Sequence, residues 1–152
     1  MIRELESGDF AAIKPLMLQL HAMHAAARPD IFRPGDFFSE EDFGEILSGE
    51  NRISLVYEEG GLAEAFCFAV LKDSKNPVLQ SFRAAFIEDI FVSEGLRGRG
   101  IGKALFSEAK KRAAKAGAAS VELKVWSFNT PAVEFYRSLG MKEQSISMEI
   151  KL

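Results

Sequence analysis

Residues Arg97 to Lys103, reading RGRGIGK, set glycines at three alternate positions between a strand-like apolar run, Ala84 to Val92, and a helix-like run, Ile101 to Ala116. A strand that passes through such a loop into a helix turns successive main-chain N–H groups toward one point, because no Cβ atoms stand in the way. The helix adds the positive end of its dipole and its unpaired first-turn donors. Arg97, Arg99 and Lys103 add full positive charge. The expected guest of this strand–loop–helix unit is a phosphate or pyrophosphate.

Two common phosphate loops do not fit. A Walker A loop ending at Gly102-Lys103 would need glycine where Arg97 stands and a hydroxyl where Ala104 stands. A dinucleotide fingerprint needs unequal glycine spacing early in a βαβ unit, whereas Gly98, Gly100 and Gly102 are evenly spaced and come late. The plain alternative is a turn with incidental arginines. Two further segments bear on that choice: IEDIFV, Ile87 to Val92, and VWSFNTPAVEFYRSLG, Val125 to Gly140, with Asn129 at a helix entrance and Tyr136 seven residues on.

The pattern Val92-x-x-x-x-Arg97-Gly98-x-Gly100-Ile101-Gly102 resembles the acetyl-CoA loop of the GNAT-type N-acetyltransferase superfamily, and Val125 to Gly140 resembles that family's later strand and helix. IEDIFV is similar to the catalytic strand of the diamine and polyamine branch. The three matches occur in the family's order and cover the C-terminal half. The resemblance implies acetyl-CoA as co-substrate and a primary amine of a small molecule or peptide as acceptor, with direct transfer. It puts the pyrophosphate at Arg97, Gly98, Arg99, Gly100, Ile101, Gly102 and Lys103. The pantetheine arm would lie along Ile90, Phe91 and Val92 and meet Asn129. It also admits a homodimer, since strands near the C-terminus pair between subunits in similar proteins.

The order of elements agrees with that fold. Ile2 to Leu5 reads as a strand, and Asp9 as the cap of a helix to about Ala27, with Pro15 expected to kink it or delay its regular start. Ser39 caps a second helix to Leu47, with Asp42 completing a capping box. Ile53 to Tyr57 and Ala63 to Leu71 form a hairpin about Gly60-Gly61. Phe82 to Val92 is a strand, Ile101 to Gly117 a helix, Ser120 to Trp126 a strand, and Pro131 to Gly140 a helix. Ser145 to Leu152 is expected to supply a last strand or two. The fold class is α/β, an α+β mixed sheet that is mostly antiparallel, splayed, and flanked by helices on both faces.

A single domain spanning 1–152 follows from the length, and 47% hydrophobic residues suffice for one core. No apolar run approaches the ~20 residues that span a bilayer, and the N-terminus has no apolar leader, so no membrane partner and a cytoplasmic location are expected. Residues 1–76 hold 14 acids and 7 bases, and the remainder 8 acids and 12 bases. A basic half suits an anionic co-substrate and an acidic half a cationic acceptor, although Glu40, Glu41, Asp42 and Glu45 also read as the wet face of a short helix. Lys110, Lys111, Arg112 and Lys115 fall at a helix C-terminus, which is no nucleic-acid signature. Lone Cys67 lies in an apolar run and reads as a buried hydrophobe. His21 and His24 share a helical face without further ligands at metal spacing, so no metal is expected.

Acetyl transfer needs a neutral amine, a donor to the developing oxyanion and a proton for the leaving thiolate. Strict alternation would put Phe86, Glu88 and Ile90 on one face of their strand and Ile87, Asp89 and Phe91 on the other, so that one acid sees the acceptor. The resemblance selects Glu88 as catalytic base. A structural salt bridge is the plain alternative, and a strand bulge would favour Asp89 instead. Tyr136 matches the family's proton donor to the thiolate, against simple contact with Phe135 and Leu139. A non-catalytic acyl-CoA-binding regulatory module is the rival reading, to which Glu88 and Tyr136 would be dispensable.

Overall fold

Long-range order starts from β3, Leu62–Asp73, which is covered on both faces. Its alternate residues sort by size. Phe66 and Phe68 point to one side with Ile13, Leu16, Phe43, Ile46 and Phe91. Ala65, Cys67 and Ala69 point to the other, with Leu55, Ala85, Ile87, Leu105 and Ala109. Small side chains on that second face let a helix lie close to the sheet, while the phenylalanines fill the wider gap on the first.

The structure is a computed structural model that describes residues 1–152. Its five strands are β1 (Ile2–Glu4), β2 (Arg52–Glu59), β3, β4 (Arg83–Val92) and β5 (Ser120–Leu123), in that spatial order. β1 to β4 pair antiparallel, and β4 pairs with β5 in parallel. Helices α1 (Phe10–Ala27) and α2 (Glu40–Ser48) cover the phenylalanine face, and α3 (Ile101–Lys115) covers the other. Helix α4 (Thr130–Ser138) leads into Leu139 and Met141, which rest against the α3-side core. The mixed sheet with helices on both faces is as expected.

Local chemistry sets the joins. Gly60 and Gly61 have φ of 61° and 83°, the paired left-handed conformation that a tight hairpin turn requires. Ser39 and Asp42 close the expected capping box of α2. Asn129 Oδ1 accepts from the Ala132 N–H at 3.3 Å, with Pro131 behind it in the first turn of α4.

Several expectations need correction. Asp9 stands at the start of α1 but its side chain caps no α1 amide; it accepts a fork of bonds from Arg3 at 2.8 Å each and one from the Glu6 N–H at 2.8 Å. Asp9 is buried, so the charge-assisted pair outweighs a capping bond. Helix α1 is helical from Phe10, five residues before Pro15, which it carries in its second turn. The proline's missing N–H orphans the carbonyl of Ala11, which is exposed and can bond water. β5 ends at Leu123, and residues 142–152 form no strand.

Phe66 is fully buried and stacks on Phe68 with ring centroids 4.6 Å apart. Phe66→Ala is expected to cost about 3–5 kcal/mol, a large share of a domain's stability, read as a sharp fall in the urea midpoint. A midpoint within error of wild type would mean that the phenylalanine face does not hold α1 to the sheet.

Candidate functional site: a parted sheet beside a glycine loop

Pairing between β4 and β5 runs from Ala84 with Ser120 to Ile87 with Leu123 and goes no further. Beyond it β4 continues to Val92, bonded on its other side to β3, so the main chain of residues 88–92 faces a gap where a fifth strand should be. A segment carrying amides could complete that ladder as a strand would. The predicted backbone residues Ile90, Phe91 and Val92 lie along this gap.

The gap leads to the Arg97–Lys103 loop at the start of α3. Gly98 and Gly100 have φ of 78° and 79°, and a Cβ at either would meet nothing within 4 Å. Both positions therefore need left-handed backbone and leave open space above it. Gly102 has a different task. A Cβ there would come within 3.2 Å of Phe135 on α4 and 3.6 Å of Val92, so this glycine seats α4 against α3 and does not clear room for a ligand. Ile101 is buried in the α3-side core and anchors the loop.

The loop's cations are not equivalent. Arg97 Nε donates to the Val92 carbonyl at 3.0 Å, with its guanidinium 5.3 Å from the centre of the Phe91 ring. Arg99 forms a fork to Glu59 at 2.9 and 3.1 Å, which ties the loop to the end of β2 and holds that carboxyl below its usual range. Lys103 is exposed on the first turn of α3.

The strand's two acids overturn the parity expectation. The register of β4 on β3 slips between Phe68 with Asp89 and Ala69 with Ile87, so Glu88 is the extra residue of a bulge. Ile87 and Ile90 thus both join the α3-side core, while Asp89 sits opposite Phe68 on the α1 side. Glu88 turns toward that side too, where it forms an ion pair with Arg52. Both carboxylates face the same way. Their environments nevertheless differ: Glu88 is paired and open to solvent, whereas Asp89 is half-buried. Burial above all, then the neighbouring Glu88 charge, pushes the Asp89 carboxyl above its ordinary value, against a smaller pull from His24.

Tyr136 lies on α4, its ring 5.3 Å from that of Phe135. Burial first, then Cys67 and Asp89, raises its phenol above the ordinary value. Cys67, on the α3 side of β3, has its thiol pushed up to about 12 by burial and by Asp89. Phenol, carboxyl and thiol are each biased toward the protonated form. Asn129 caps α4 through its carbonyl oxygen, which leaves its amide hydrogens for another partner.

On the outer side of Asp89, aromatic rings from two loops meet α1. Phe32 lies 5.3 Å from His24 and 5.4 Å from Trp126, and Phe128 lies 6.0 Å from His24. Phe37 and His21 extend the cluster, with rings 5.4 Å apart, while Phe38 belongs to the buried core. The two histidines are engaged with rings and with the carbonyls of Leu20 and Arg33, not with a set of ligands. Trp126, three residues past the end of β5, joins this cluster through Phe32 and Phe128.

A mixed sheet that opens at its parallel pair beside a glycine-lined helix start defines a distinct class of fold. Residues 17–141 match the family described as the Acetyltransferase (GNAT) family, and the chain belongs to that family. The uncharacterized N-acetyltransferase MJ1207 of Methanocaldococcus jannaschii is 43% identical over 68 residues, 45% of this chain and 30% of that one. The matched segments span less than a third of the length of the first curated relatives. The crystal structure of a mutant of the BH1408 protein from Bacillus halodurans superposes with a TM-score of 0.96 at 32% identity, covering 100% of this chain and 99% of that one. Aminoglycoside N-acetyltransferase AAC(6')-Iy, solved in complex with CoA, shares the fold at 20% identity, with a TM-score of 0.77 over 100% of this chain and 98% of that one.

A carboxyl titrating above its ordinary range binds its proton more tightly in the folded state, so its favourable contribution is present in acid and is lost as pH rises through the folded pKa. At neutral pH the buried charge destabilises. Asp89→Asn should therefore denature later than wild type at about pH 7, with the difference closing below about pH 4, where both side chains are neutral. Thermal denaturation across that range checks it; an Asn variant less stable than wild type at neutral pH would contradict the assigned environment.

Proposed function

We propose that the protein is an acetyl-CoA-dependent N-acetyltransferase that moves the acetyl group directly to a primary amine. The observation that carries this reading is the parting of β4 from β5 beside the Gly98–Gly102 loop, with Asp89 and Tyr136 at its inner end. Family membership, and the CoA bound by a protein of the same fold, support it.

In this reading the first-turn N–H groups of α3, the open loop above Gly98 and Gly100, and Lys103 hold the pyrophosphate. The open main chain of Ile90, Phe91 and Val92, where Arg97 already occupies the Val92 carbonyl, and the free amide hydrogens of Asn129 align the pantetheine amides. Main-chain N–H groups along the gap stabilise negative charge on the carbonyl oxygen as the amine adds to carbon. Asp89 takes a proton from the amine, because its raised pKa brings it nearer to the operating range and its face is the one lined by α1. Glu88, given as base by resemblance alone, would instead draw the cationic amine inward while paired to Arg52. As the C–N bond forms and the C–S bond breaks, the Tyr136 phenol donates to the departing sulfur, a role its raised pKa suits.

Glutamate at Gly98 would place a negative charge in the open space above the loop, and its left-handed φ adds about 1 kcal/mol of strain. Gly98→Glu should remain folded and bind acetyl-CoA at least about tenfold more weakly, because its carboxylate repels the pyrophosphate. Unchanged affinity by calorimetry would refute the loop assignment.

The two acids are separable by kinetics. Asp89→Asn should lower kcat/KM by about 10²-fold or more and flatten the acidic limb of the pH profile, whereas Glu88→Gln should mainly raise KM for a cationic acceptor. Thiol release against a panel of primary amines is the measurement. The reverse pattern returns the base to Glu88, and absence of turnover with every amine, despite binding of acetyl-CoA, would leave a binding module.

A further inference from the structure

We propose that His24 is the proton exit of the acceptor site: its imidazole takes the proton that Asp89 removes from the amine and hands it to solvent. This role rests on the acetyl-transfer reading with Asp89 as base, and the proton count of that reaction calls for it. A primary alkyl amine reaches the site at neutral pH as an ammonium ion and becomes an amide by losing two protons. One replaces the proton that the Tyr136 phenol gives to the departing sulfur. The other must leave the site, and Asp89, half-buried and biased toward its protonated form, would otherwise keep it between turnovers.

Helix α1 supplies the group through its periodicity. Ile13, Met17 and Leu20 follow one another at helical spacing against the phenylalanine side of the sheet. His24, four residues on, is the next position of that stripe, and it puts an imidazole where the pattern calls for a hydrocarbon. Across from the stripe β4 makes the matching change. Phe91, opposite Phe66, belongs to the core, whereas Asp89, opposite Phe68, brings a carboxyl to the same face. Imidazole and carboxyl therefore come together at the end of an apolar interface. They are near enough for His24 to oppose the effect of burial on Asp89, yet no hydrogen bond joins them. An amine nitrogen or a water standing between them links the two.

The ring is prepared for the task. His24 Nδ1 lies 2.9 Å from the Leu20 carbonyl, which can only accept, so Nδ1 carries a hydrogen and the neutral ring keeps its lone pair on Nε2. Phe32 at 5.3 Å and Phe128 at 6.0 Å, centre to centre, pack against the imidazole. The residue is half-buried, so it borders both the site and solvent. The other charged and titratable groups nearby are committed. Glu88 pairs with Arg52, His21 Nε2 donates to the Arg33 carbonyl at 2.6 Å, and Arg28 pairs with Asp30 and Glu149. Tyr136 and Cys67 hold their protons. His24 is the group left to accept a proton and release it.

His24→Gln should lower kcat for a cationic amine by about tenfold or more, with KM for acetyl-CoA unchanged. His24→Ala should recover turnover with added imidazole but not with pyrazole, a ring of the same size that is a far weaker base. Carbon-13 NMR of the Asp89 carboxyl gives a readout that needs no turnover: in His24→Gln its titration should move to higher pH, because the pull of the charged ring is lost. Full kcat in His24→Gln, or equal rescue by the two rings, would overturn the relay and leave the acetyl-transfer reading standing. An unmoved Asp89 titration would show that the two side chains do not face each other, and would overturn it whether or not any amine is turned over. A wild type that acetylates no amine would remove the acetyl-transfer reading and the relay with it.

Discussion

Along β4 the ladder to β3 runs the length of the strand, broken only at the Glu88 bulge, while the ladder to β5 stops at Ile87, and the geometry of the site depends on that half-finished pairing. Main-chain polar groups away from water need partners, so an open row of them is held apart only by surrounding structure. Two devices hold it here. The bulge at Glu88 bends β4 where pairing to β5 stops. The contact of Phe135 with the bare Cα of Gly102 fixes α4 against the start of α3, beyond the gap. The bulge sets which face Asp89 takes, and the Phe135 contact sets the helix that carries Tyr136.

Size sorting within β3 determines which side does what. Alanines and Cys67 draw α3 close, which aims its N-terminus, with the glycine loop, at the open end of the gap. The phenylalanine side packs against α1, and it is there that the acids and the aromatic loops meet. Charge follows the same division. Glu59 restrains Arg99 at the loop and Arg52 restrains Glu88 at the bulge, so each end of the gap has one mobile charge neutralised and one left free to act.

Much of this was legible in the chain. The glycine loop, the hairpin at Gly60-Gly61, the α2 capping box and the Asn129–Pro131 start of α4 are local chemistry, and each stands where its residues put it. Parity along β4 was not legible, because a bulge depends on the partner strand; Glu88-Asp89 side by side in an apolar run was its only trace. Gly102 looked like its neighbours in the loop until Phe135, 33 residues later, showed what it accommodates. The aromatic cluster joins α1, the residues after it and those after β5, a convergence that no local pattern encodes. The last segment alternates apolar and polar residues as a strand would, but a strand needs a neighbour, and residues 142–152 form none here.

Cys67 gives the site a chemical character of its own. With its thiol pushed up to about 12 and fully enclosed in the α3-side core, it holds almost no thiolate near neutral pH. Peroxides and disulfides react with thiolates, and this chain presents none to them. In the proposed reaction, which handles a thioester and releases a free thiol, the chain would offer no sulfur of its own able to exchange with either. Its output would track the supply of its substrates and stay indifferent to the oxidation state of its surroundings.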